Sequence, residues 1–302
     1  MAENPPASKP RIAIIGPGAV GGTVAAWLHH ERHDVSLCVR TPFDALVVET
    51  PEGVLESAPR QLRDPGEAAP VDWVLVTAKA YDVAGVATWL ARLVGPETRV
   101  AVLQNGVEHV ARFAGHVRED RILPVMVDIP AERDAPGRIR QRRRGAMLVP
   151  EGADAQAFAA FFAGTGIDVA ETGDFKSAVW RKLCVNSAGA VSALALEGSG
   201  VAWREPAAGV MRALVAECVA VGRAEGAVLD DALIEGVVQG YRCEPRDGKN
   251  SLFADREAGR PMEWDARNGV VGRLGRRHGI ATPVSDAVSG LLAAIDAANS
   301  GA

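Results

Sequence analysis

The first half of the chain carries short, continuous apolar runs, each followed by a segment with the composition of a helix. The apolar runs are Ile12–Ile15, Val35–Val39, Trp73–Ala78 and Arg99–Leu103. The helical segments are Thr23–Leu28, Val83–Leu93 and Val107–Phe113. Strands that are apolar throughout are typical of parallel sheets covered on both faces. The pattern therefore predicts an α/β domain, with further strands at Ile122–Ile129, Arg138–Gln141 and Ala146–Val149.

After residue 171 the pattern changes to apolar residues spaced as on helices. Asp174 is placed to cap a helix over residues 175–189. Apolar residues recur at helical spacing over residues 210–221 and 284–295. We therefore predict an α/β domain followed by an all-helical domain. Their predicted extents are residues 10–172 and residues 173–302.

A glycine-rich sequence, Gly16-Pro-Gly18-Ala-Val-Gly21, directly follows the first apolar run. In a strand–turn–helix unit the first glycine permits the tight turn, the second lets the backbone approach a pyrophosphate, and the third lets the helix pack on the strand. The helix start then offers amide donors to the phosphates. We predict a Rossmann dinucleotide-binding domain in which Gly16, Gly18, Ala19, Val20 and Gly21 bind the cofactor. The alternative is a purely structural turn.

The residue that follows the second apolar run distinguishes between the two nicotinamide cofactors. Enzymes that use NAD usually carry an acidic residue there for the ribose 2′-hydroxyl, whereas this chain has Arg40. A guanidinium suits a 2′-phosphate, so the sequence favours NADP; the alternative is a solvated surface arginine. Lys79 and Asn105 follow the third and fourth runs, at strand ends where ligands bind in open α/β sheets. Taken singly, they also fit an exposed lysine and a turn residue.

Lys182 and Asn186 lie four residues apart in the predicted helix after Asp174 and therefore project from one face. Hydride reduction of a ketone leaves an alkoxide that must be protonated or stabilised. Lys182 can supply that proton, and Asn186 can hydrogen-bond the substrate hydroxyl or the lysine. The spacing also fits a solvated lysine and asparagine on an amphipathic helix.

Charge argues against a polyanionic partner. With 33 Lys and Arg against 38 Asp and Glu, the formal charge of −5 gives no general positive field. The arginine-rich segment Arg138-Ile-Arg-Gln-Arg-Arg-Arg144 is therefore interpreted as the solvated face of a strand. We expect no nucleic-acid partner.

Composition also bears on location and on metals. Residues 1–10 are Pro-rich and polar, which predicts a mobile tail without a signal segment, and no apolar run approaches a membrane span. The four cysteines are scattered, and His29, His30 and His33 lack a carboxylate or cysteine set, so we expect reduced thiols and no metal site. The sequence thus predicts a cytoplasmic protein with no membrane partner.

Seven ordered motifs together resemble the ketopantoate reductase family, which converts 2-dehydropantoate (ketopantoate) to (R)-pantoate with NADPH on the way to pantothenate and coenzyme A. The motifs are the N-terminal GPGAVG, Arg40, Val76-Thr-Ala-Lys79-Ala, Leu103-Gln-Asn105-Gly, Trp180-Arg-Lys182-Leu-Cys-Val-Asn186, Ser251-Leu-Phe-Ala-Asp255 and Arg260-Pro-Met-Glu263-Trp-Asp265. The resemblance covers residues 12–292. It implies an NADP-binding Rossmann domain followed by a helical domain for substrate binding and catalysis.

Carried over position by position, the resemblance implies roles for individual residues. Lys182 would be the general acid, and Glu263 the acidic partner that helps fix the lysine and the cofactor ribose. Asn105 and Asn186 would contact substrate or nicotinamide. Ser251 would bind the substrate carboxylate.

On the cofactor side, the resemblance makes Arg40 the ligand of the 2′-phosphate and Lys79 the ligand of a cofactor or substrate oxygen. Without the resemblance, neither Glu263 nor Ser251 would be singled out. Glu263 lies in the predicted first turn of a helix reaching to about His278, where any protein favours a carboxylate. Ser251 could be only a helix cap.

Two positions depart from the family pattern. Many members carry a second asparagine eight residues after the lysine, where this chain has Ala190, and a threonine before the glutamate, where it has Met262. Loss of one hydrogen-bonding group from a polar pocket can cost about 1–3 kcal/mol, so the natural 2-keto acid can differ from ketopantoate. The alternatives are an NADPH-dependent reductase of another 2-keto acid, a β-hydroxy-acid dehydrogenase, and a non-catalytic NADP-sensing protein. The expected partner is a small 2-keto acid, and the chain is expected to be a monomer or homodimer.

Overall fold

The computed structural model describes residues 9–300, so the predicted tail lies almost entirely outside the described residues. The chain forms two compact units. Of the described residues, 9–104 and 108–173 belong to unit 1, and 105–107 and 174–300 belong to unit 2. The cofactor and substrate roles assigned to the two halves stay predictions.

Unit 1 is an α/β unit, as predicted. Its strands are β1 (Arg11–Ile15), β2 (Asp34–Cys38), β3 (Leu46–Thr50), β4 (Gly53–Ser57), β5 (Arg60–Leu62), β6 (Trp73–Val76), β7 (Arg99–Val102), β8 (Ile122–Pro124), β9 (Met126–Asp128), β10 (Ala131–Ala135), β11 (Arg138–Gln141), β12 (Gly145–Pro150) and β13 (Ile167–Thr172). Its helices are α1 (Ala19–His30), α2 (Val83–Leu93), α3 (His109–Phe113) and α4 (Ala153–Ala160).

The main sheet of unit 1 is parallel and has its strands in the order β5-β2-β1-β6-β7-β8. The order reverses at β1, because β2 lies on one side of it and β6 on the other. At the carboxyl end of β1, Ile15 is in register with Cys38 of β2 and with Val76 of β6. Ligands of open α/β sheets bind outside the carboxyl ends of the strands at such a reversal. The glycine-rich turn after β1 lies at this position.

Helix α1 is buried from Gly21 to Leu28 because it is covered on two sides. One side packs on the main sheet, and the other on a smaller sheet with the order β10-β11-β3-β4. Val24 and Leu28 share a core with Leu46 of β3. The indole of Trp27 donates a buried hydrogen bond of 2.9 Å to Gln141 Oε1. The helix that follows the glycine turn is therefore held firmly.

Most of the smaller sheet was not predicted. β3 and β4 join through a tight turn in which Gly53 has φ +137° and accepts a 2.8 Å hydrogen bond from Thr50 Oγ1. The exposed faces of β3 and β4 carry acidic residues such as Glu49, which interrupt the continuous apolar run from which the other strands were predicted. β5, β10, β13 and α4 were also not predicted, because they are short or polar.

Several predicted elements of unit 1 differ in extent from the structure. The helix predicted at 23–28 runs from Ala19 to His30, and the strand predicted at 73–78 ends at Val76. The strand predicted at 122–129 is two strands in different sheets, because β8 pairs with β7 whereas β9 pairs with β12. The helix predicted at 107–113 begins only at His109. Gly106 precedes it with φ +100°, a left-handed conformation that a helix does not contain.

The arginines at 140–144 pair with acidic residues of neighbouring strands and of the turn between β3 and β4. The pairs are Arg140 with Glu49 at 3.0 Å, Arg142 with Glu132 at 2.6 Å, Arg143 with Asp128 at 2.9 Å, and Arg144 with Glu52 at 2.7 Å and Asp168 at 2.9 Å. Pairs this exposed contribute little stability each. They do offset the positive charge of the segment locally.

Unit 2 is helical, as predicted. Its helices are α5 (Phe175–Ala188), α6 (Ala190–Ala195), α7 (Glu205–Ala224), α8 (Ala232–Cys243), α9 (Ser251–Glu257), α10 (Val270–His278) and α11 (Pro283–Ser300), with a π-helical segment at Asp265–Gly269 before α10. Asp174 caps α5 by accepting a 3.2 Å hydrogen bond from the Ser177 amide. Helices α5 and α7 pack closely because a Cβ on Gly222 would lie 2.9 Å from Trp180 Cε3.

The helix predicted to include Glu263 in its first turn begins one residue later. Residues 260–263 are not helical, and the helical residues start at Trp264. Pro261 disfavours a helical conformation of the residue before it. Within this segment, the Met262 amide donates a 2.9 Å hydrogen bond to Asp296 Oδ1, which fixes the backbone at this position. Glu263 therefore lies where a non-helical segment meets the start of a helix.

All four cysteines are free thiols, as expected. Burial raises the pKa of Cys38 to about 12, so this thiol is protonated at neutral pH. Within residues 9–300, no helix has both the length and the apolar character needed to cross a membrane.

Candidate active site

The turn between β1 and α1 depends on two glycines that allow close packing. Gly16 has φ +88°, and a Cβ on it would lie 2.6 Å from Ala78 Cα. A Cβ on Gly21 would lie 2.2 Å from Thr77 Oγ1 and 2.5 Å from Gly16 O. Thr77 Oγ1 donates a 2.8 Å hydrogen bond to Gly16 O. The turn and the first turn of α1 thus pack directly against the chain that leaves β6.

Gly18 differs from the other two glycines because the space beside it is open. The nearest atom to a Cβ placed on Gly18 is Gly16 O, at 3.9 Å. Gly18 is the N-cap residue of α1 and has no side chain to cap the helix, and the first turn of α1 carries no acidic residue. The amides of Ala19, Val20 and Gly21 belong to the helix start, where geometry leaves the N–H groups without intrahelical acceptors. Open space, free donors and a helix dipole together fit the diphosphate of a dinucleotide.

Because the space beside Gly18 is open and that beside Gly21 is filled, replacing each glycine by alanine should affect different properties. Gly18→Ala should keep its melting temperature, because φ −76° and ψ −152° suit alanine. It should weaken NADPH binding by about 10- to 100-fold if the methyl group displaces a phosphate from the amides. Gly21→Ala should instead destabilise the fold by about 1–3 kcal/mol through overpacking. Thermal unfolding and fluorescence titration with NADPH measure both effects. Equal destabilisation by the two variants would contradict the assignment of Gly18.

Arg40 lies beyond the carboxyl end of β2 with 79% of its side chain exposed. Its guanidinium forms an ion pair with the carboxylate of Asp82, which is 22% exposed and lies at the start of α2. Sequence reasoning missed Asp82, for which the only signal was its place three residues after Lys79. An exposed guanidinium at this edge of the sheet fits a 2′-phosphate, with an acidic neighbour beside it.

Lys79 lies half-buried in the loop that follows β6, and its carbonyl accepts a 2.9 Å hydrogen bond from the Asp82 amide. The residue before it, Ala78, packs on the glycine turn. Gln104 fixes this loop by donating a 2.7 Å hydrogen bond from Nε2 to Ala78 O. Unit 1 therefore brings the glycine turn, the Lys79 loop and the end of β7 together at one edge of the sheet.

In unit 2, α5 presents Lys182 and Asn186 on the side away from the helical core. Trp180, Leu183 and Cys184 are buried, whereas Lys182 and Asn186 are half-buried. The predicted pairing of these two residues on one helical face is thus present.

Asn105 and Glu263 are brought together within unit 2 across 158 residues of sequence. Asn105 Nδ2 donates a 3.1 Å hydrogen bond to Glu263 Oε2. The Glu263 residue is only 7% exposed. A buried carboxylate is costly unless polar partners surround it, and the amide of Asn105 is one such partner.

Four side chains donate hydrogen bonds to carbonyls at the end of α5 that carries Asn186. They are Tyr241 Oη to Val185 O at 3.1 Å, Arg267 Nη2 to Asn186 O at 3.1 Å, Asn268 Nδ2 to Ser187 O at 3.1 Å and Asn250 Nδ2 to Gly189 O at 3.0 Å. Gly189 permits this crowding, since a Cβ there would lie 2.4 Å from Tyr241 Oη.

Ser251 is the exposed first residue of α9, and the cap of that helix is its neighbour. Asn250 Oδ1 accepts the capping hydrogen bond from the Phe253 amide at 3.0 Å. Ser251 Oγ accepts instead from Arg267 Nη1 at 2.9 Å. Burial lowers the pKa of the Arg267 guanidinium. Sequence reasoning missed Arg267, and no sequence signal distinguishes it, because its neighbours Asp265 and Asn268 are also polar.

The two departures from the family pattern are both buried apolar residues. Ala190 starts α6 with its side chain fully enclosed, and Met262 is nearly so. Neither supplies a hydrogen-bonding group. Among residues 9–300, no group of three possible metal ligands lies together.

Both halves of the chain match models of one protein family. Residues 12–154 match the family model "Ketopantoate reductase PanE/ApbA", and residues 174–296 match "Ketopantoate reductase PanE/ApbA C terminal". A 2-dehydropantoate 2-reductase of Caulobacter vibrioides is 58% identical over 93% of this chain and 97% of its own length. One of Mycobacterium tuberculosis is 42% identical over 94% of this chain and 97% of its own length.

A solved structure shares the architecture as well. A ketopantoate reductase from Ralstonia eutropha JMP134 superposes with a TM-score of 0.88 at 29% identity, covering 96% of this chain and 99% of its own. The chain therefore belongs to the ketopantoate reductase family and is an oxidoreductase.

Proposed function

We propose that this protein reduces 2-dehydropantoate to (R)-pantoate with NADPH, as a step toward pantothenate and coenzyme A. The observation that carries the proposal is the 58% identity to the Caulobacter vibrioides 2-dehydropantoate 2-reductase over nearly the full length of both proteins. Ketopantoate reductases are NADPH-dependent. The open glycine turn and the exposed Arg40 support the same cofactor here.

In this proposal, unit 1 holds the cofactor. The amides that follow Gly18 bind the diphosphate, Arg40 binds the 2′-phosphate, and Lys79 binds a cofactor or substrate oxygen. When bound, NADPH supplies the hydride that the keto carbon accepts. The open backbone at Gly18 lets the diphosphate approach without a side chain in its path.

Unit 2 supplies the proton and holds the substrate. Lys182 protonates the oxygen that becomes the hydroxyl of pantoate, and Asn186, one helical turn away, hydrogen-bonds that oxygen or the lysine. Glu263 helps to fix the lysine and the cofactor ribose, while Asn105 fixes one oxygen of Glu263. Ser251 donates its hydroxyl to the substrate carboxylate.

A second 2-keto acid remains a candidate substrate because of one observation. Ala190 and Met262 are buried and apolar where many family members have an asparagine and a threonine. A pocket with fewer polar groups discriminates less strongly in favour of the hydroxyl of ketopantoate.

A substrate panel tests the proposal. NADPH oxidation is followed with ketopantoate, 2-ketoisovalerate and pyruvate as substrates. We expect kcat/KM for ketopantoate to exceed that for 2-ketoisovalerate, which lacks the hydroxymethyl group, by at least about tenfold. A reversed order would assign the enzyme to another 2-keto acid. Tight NADPH binding without turnover of any of the three would favour a sensing role.

A further inference from the structure

One buried arginine joins two of the residues assigned to the substrate. Arg267 is 2% exposed, and its Nη1 donates to Ser251 Oγ at 2.9 Å while its Nη2 donates to the carbonyl of Asn186 at 3.1 Å. Both acceptors are uncharged. The third nitrogen, Nε, is buried and has no hydrogen-bond partner among the described residues. The guanidinium is therefore only partly satisfied by the groups it touches.

Such an arrangement is unusual because buried charges are normally paired. Glu263 and Asp255 favour the charged form of Arg267 through longer-range attraction, but burial opposes it more strongly. A buried cation without a hydrogen-bonded carboxylate creates a positive potential in its surroundings, where the local dielectric constant is low. An anionic ligand bound nearby would complete this charge balance.

Capping of α5 does not by itself explain the charge. The carbonyls of Val185, Ser187 and Gly189 are each satisfied by a neutral side chain. A neutral donor is therefore sufficient at this helix end. Of these capping side chains, Arg267 also donates a hydrogen bond to the hydroxyl of Ser251.

The hydrogen bond from Arg267 decides what Ser251 can do. A serine hydroxyl has one proton to donate and accepts through its lone pairs. Since Oγ accepts from Arg267, which has no acceptor atom, the serine proton must point elsewhere. Ser251 is exposed, so that proton is available to an incoming ligand. A carboxylate is the acceptor that gains most from such a donor with a cation behind it.

We propose that Arg267 is a positioning residue for substrate recognition: it orients the Ser251 hydroxyl as a donor to the carboxylate of the 2-keto acid and makes this part of unit 2 selective for anionic over neutral substrates. The proposal rests on the proposed function, which supplies the 2-keto acid. The guanidinium also lies beside the departure at Ala190, since its Nη2 would be 3.3 Å from a Cβ on the preceding Gly189. The charge of Arg267, acting through Ser251, makes the site selective for anions although Ala190 replaces the second asparagine of the family.

The test compares a charged substrate with a neutral one. Steady-state kinetics are measured for 2-ketoisovalerate and for its methyl ester, which has no hydroxyl able to close a lactone, with Arg267→Met, Arg267→Lys, Ser251→Ala and the double variant. We expect Arg267→Met and Ser251→Ala each to raise KM for the acid by about 10- to 100-fold, with kcat and the KM for the ester changing by less than about threefold. The double variant should resemble the single variants, because both act through one contact. Arg267→Lys, which keeps the charge, should recover part of the selectivity.

Arg256→Met is the matched control, because it removes an arginine from α9 that has no hydrogen bond to Ser251; it should leave the ratio of the two KM values unchanged. Equal increases for acid and ester in Arg267→Met, or a lower melting temperature without any change in selectivity, would overturn the proposal. If Arg267→Met does not fold, Ser251→Ala at its exposed position can still overturn the proposal, because unchanged selectivity in that variant would rule out the contact through which Arg267 acts, and Arg267→Lys then tests the arginine itself.

Binding separates failure of this proposal from failure of the proposed function. Calorimetric titration of the NADP⁺-loaded protein with 2-ketoisovalerate needs no turnover. If the unmodified protein does not reduce ketopantoate, the proposed substrate is rejected. Binding of 2-ketoisovalerate that weakens about 10-fold or more in Arg267→Met would still support the role of Arg267. Binding that is unchanged in this variant would reject that role.

Discussion

Lys182→Ala is expected to lower kcat by about 10²- to 10⁴-fold, the usual contribution of a positioned general acid. Lys182 is half-buried on α5, so it is accessible to a substrate and partly shielded from water. In the variant, the nascent alkoxide has to take its proton from solvent. NADPH affinity should stay within about twofold, because the proposed contacts to the phosphates all come from unit 1. Stopped-flow turnover and an NADPH titration measure the two quantities.

Lys176→Ala is the matched control for this variant. Lys176 lies on the same helix, is exposed, and donates to the carbonyl of Glu225 at 2.9 Å. Its removal takes the same charge from α5 without touching the face of Lys182, so kcat should change by less than about twofold. If Lys182→Ala keeps most of its kcat, another group is the acid.

Arg40→Glu is expected to weaken NADPH binding by about 10- to 100-fold, with little effect on NADH. The variant loses a charge-assisted hydrogen bond to the 2′-phosphate and adds a repelling carboxylate. NADH has no phosphate at this position, so the same change costs it little. Dissociation constants for both cofactors measure the difference. An equal loss for NADPH and NADH would remove the phosphate assignment.

A substitution at Asp82 tests the same phosphate assignment with the opposite expected effect on NADPH binding. Its carboxylate already pairs with Arg40, so a bound 2′-phosphate must compete for the guanidinium and lie near a like charge. Asp82→Asn should therefore tighten NADPH binding by about two- to fivefold, the size expected of one exposed ion pair, and leave NADH unchanged. The gain should shrink at high salt. Weaker NADPH binding in this variant would mean that Asp82 mainly holds Arg40 in place.

The continuous apolar strands and the glycine turn were predictable because local composition determines them. β1, β2, β6 and β7 form the centre of one sheet, and each is buried on both faces. β10, by contrast, reads Ala-Glu-Arg-Asp-Ala, which has low strand propensity. It is a strand because it pairs antiparallel with β11, which follows it after a two-residue turn, and β11 in turn pairs with β3, about 90 residues earlier in the chain. The composition of β10 alone therefore does not predict a strand, because its conformation depends on the strands that it pairs with and not on its own propensity.

The candidate site was predictable to a similar degree. The helical spacing of Lys182 and Asn186 indicates a shared face without further information. The contact between Asn105 and Glu263 could not be inferred from spacing, because 158 residues separate them. Arg267 and Asp82 were missed for a related reason: their importance lies in the partners they meet, and those partners come from other elements.

Unit 2 is assembled from two separate stretches of sequence, because residues 105–107 belong to it although they follow β7. A polypeptide of residues 174–302 would contain Lys182 and Glu263 but would lack Asn105, and the buried carboxylate of Glu263 would lose an amide donor. If recombination exchanged only residues 174–302 between two homologues, the loop that carries Asn105 would come from one protein and Glu263 from the other. The loop after β7 has to be inherited together with the helices, even though the two are far apart in the gene.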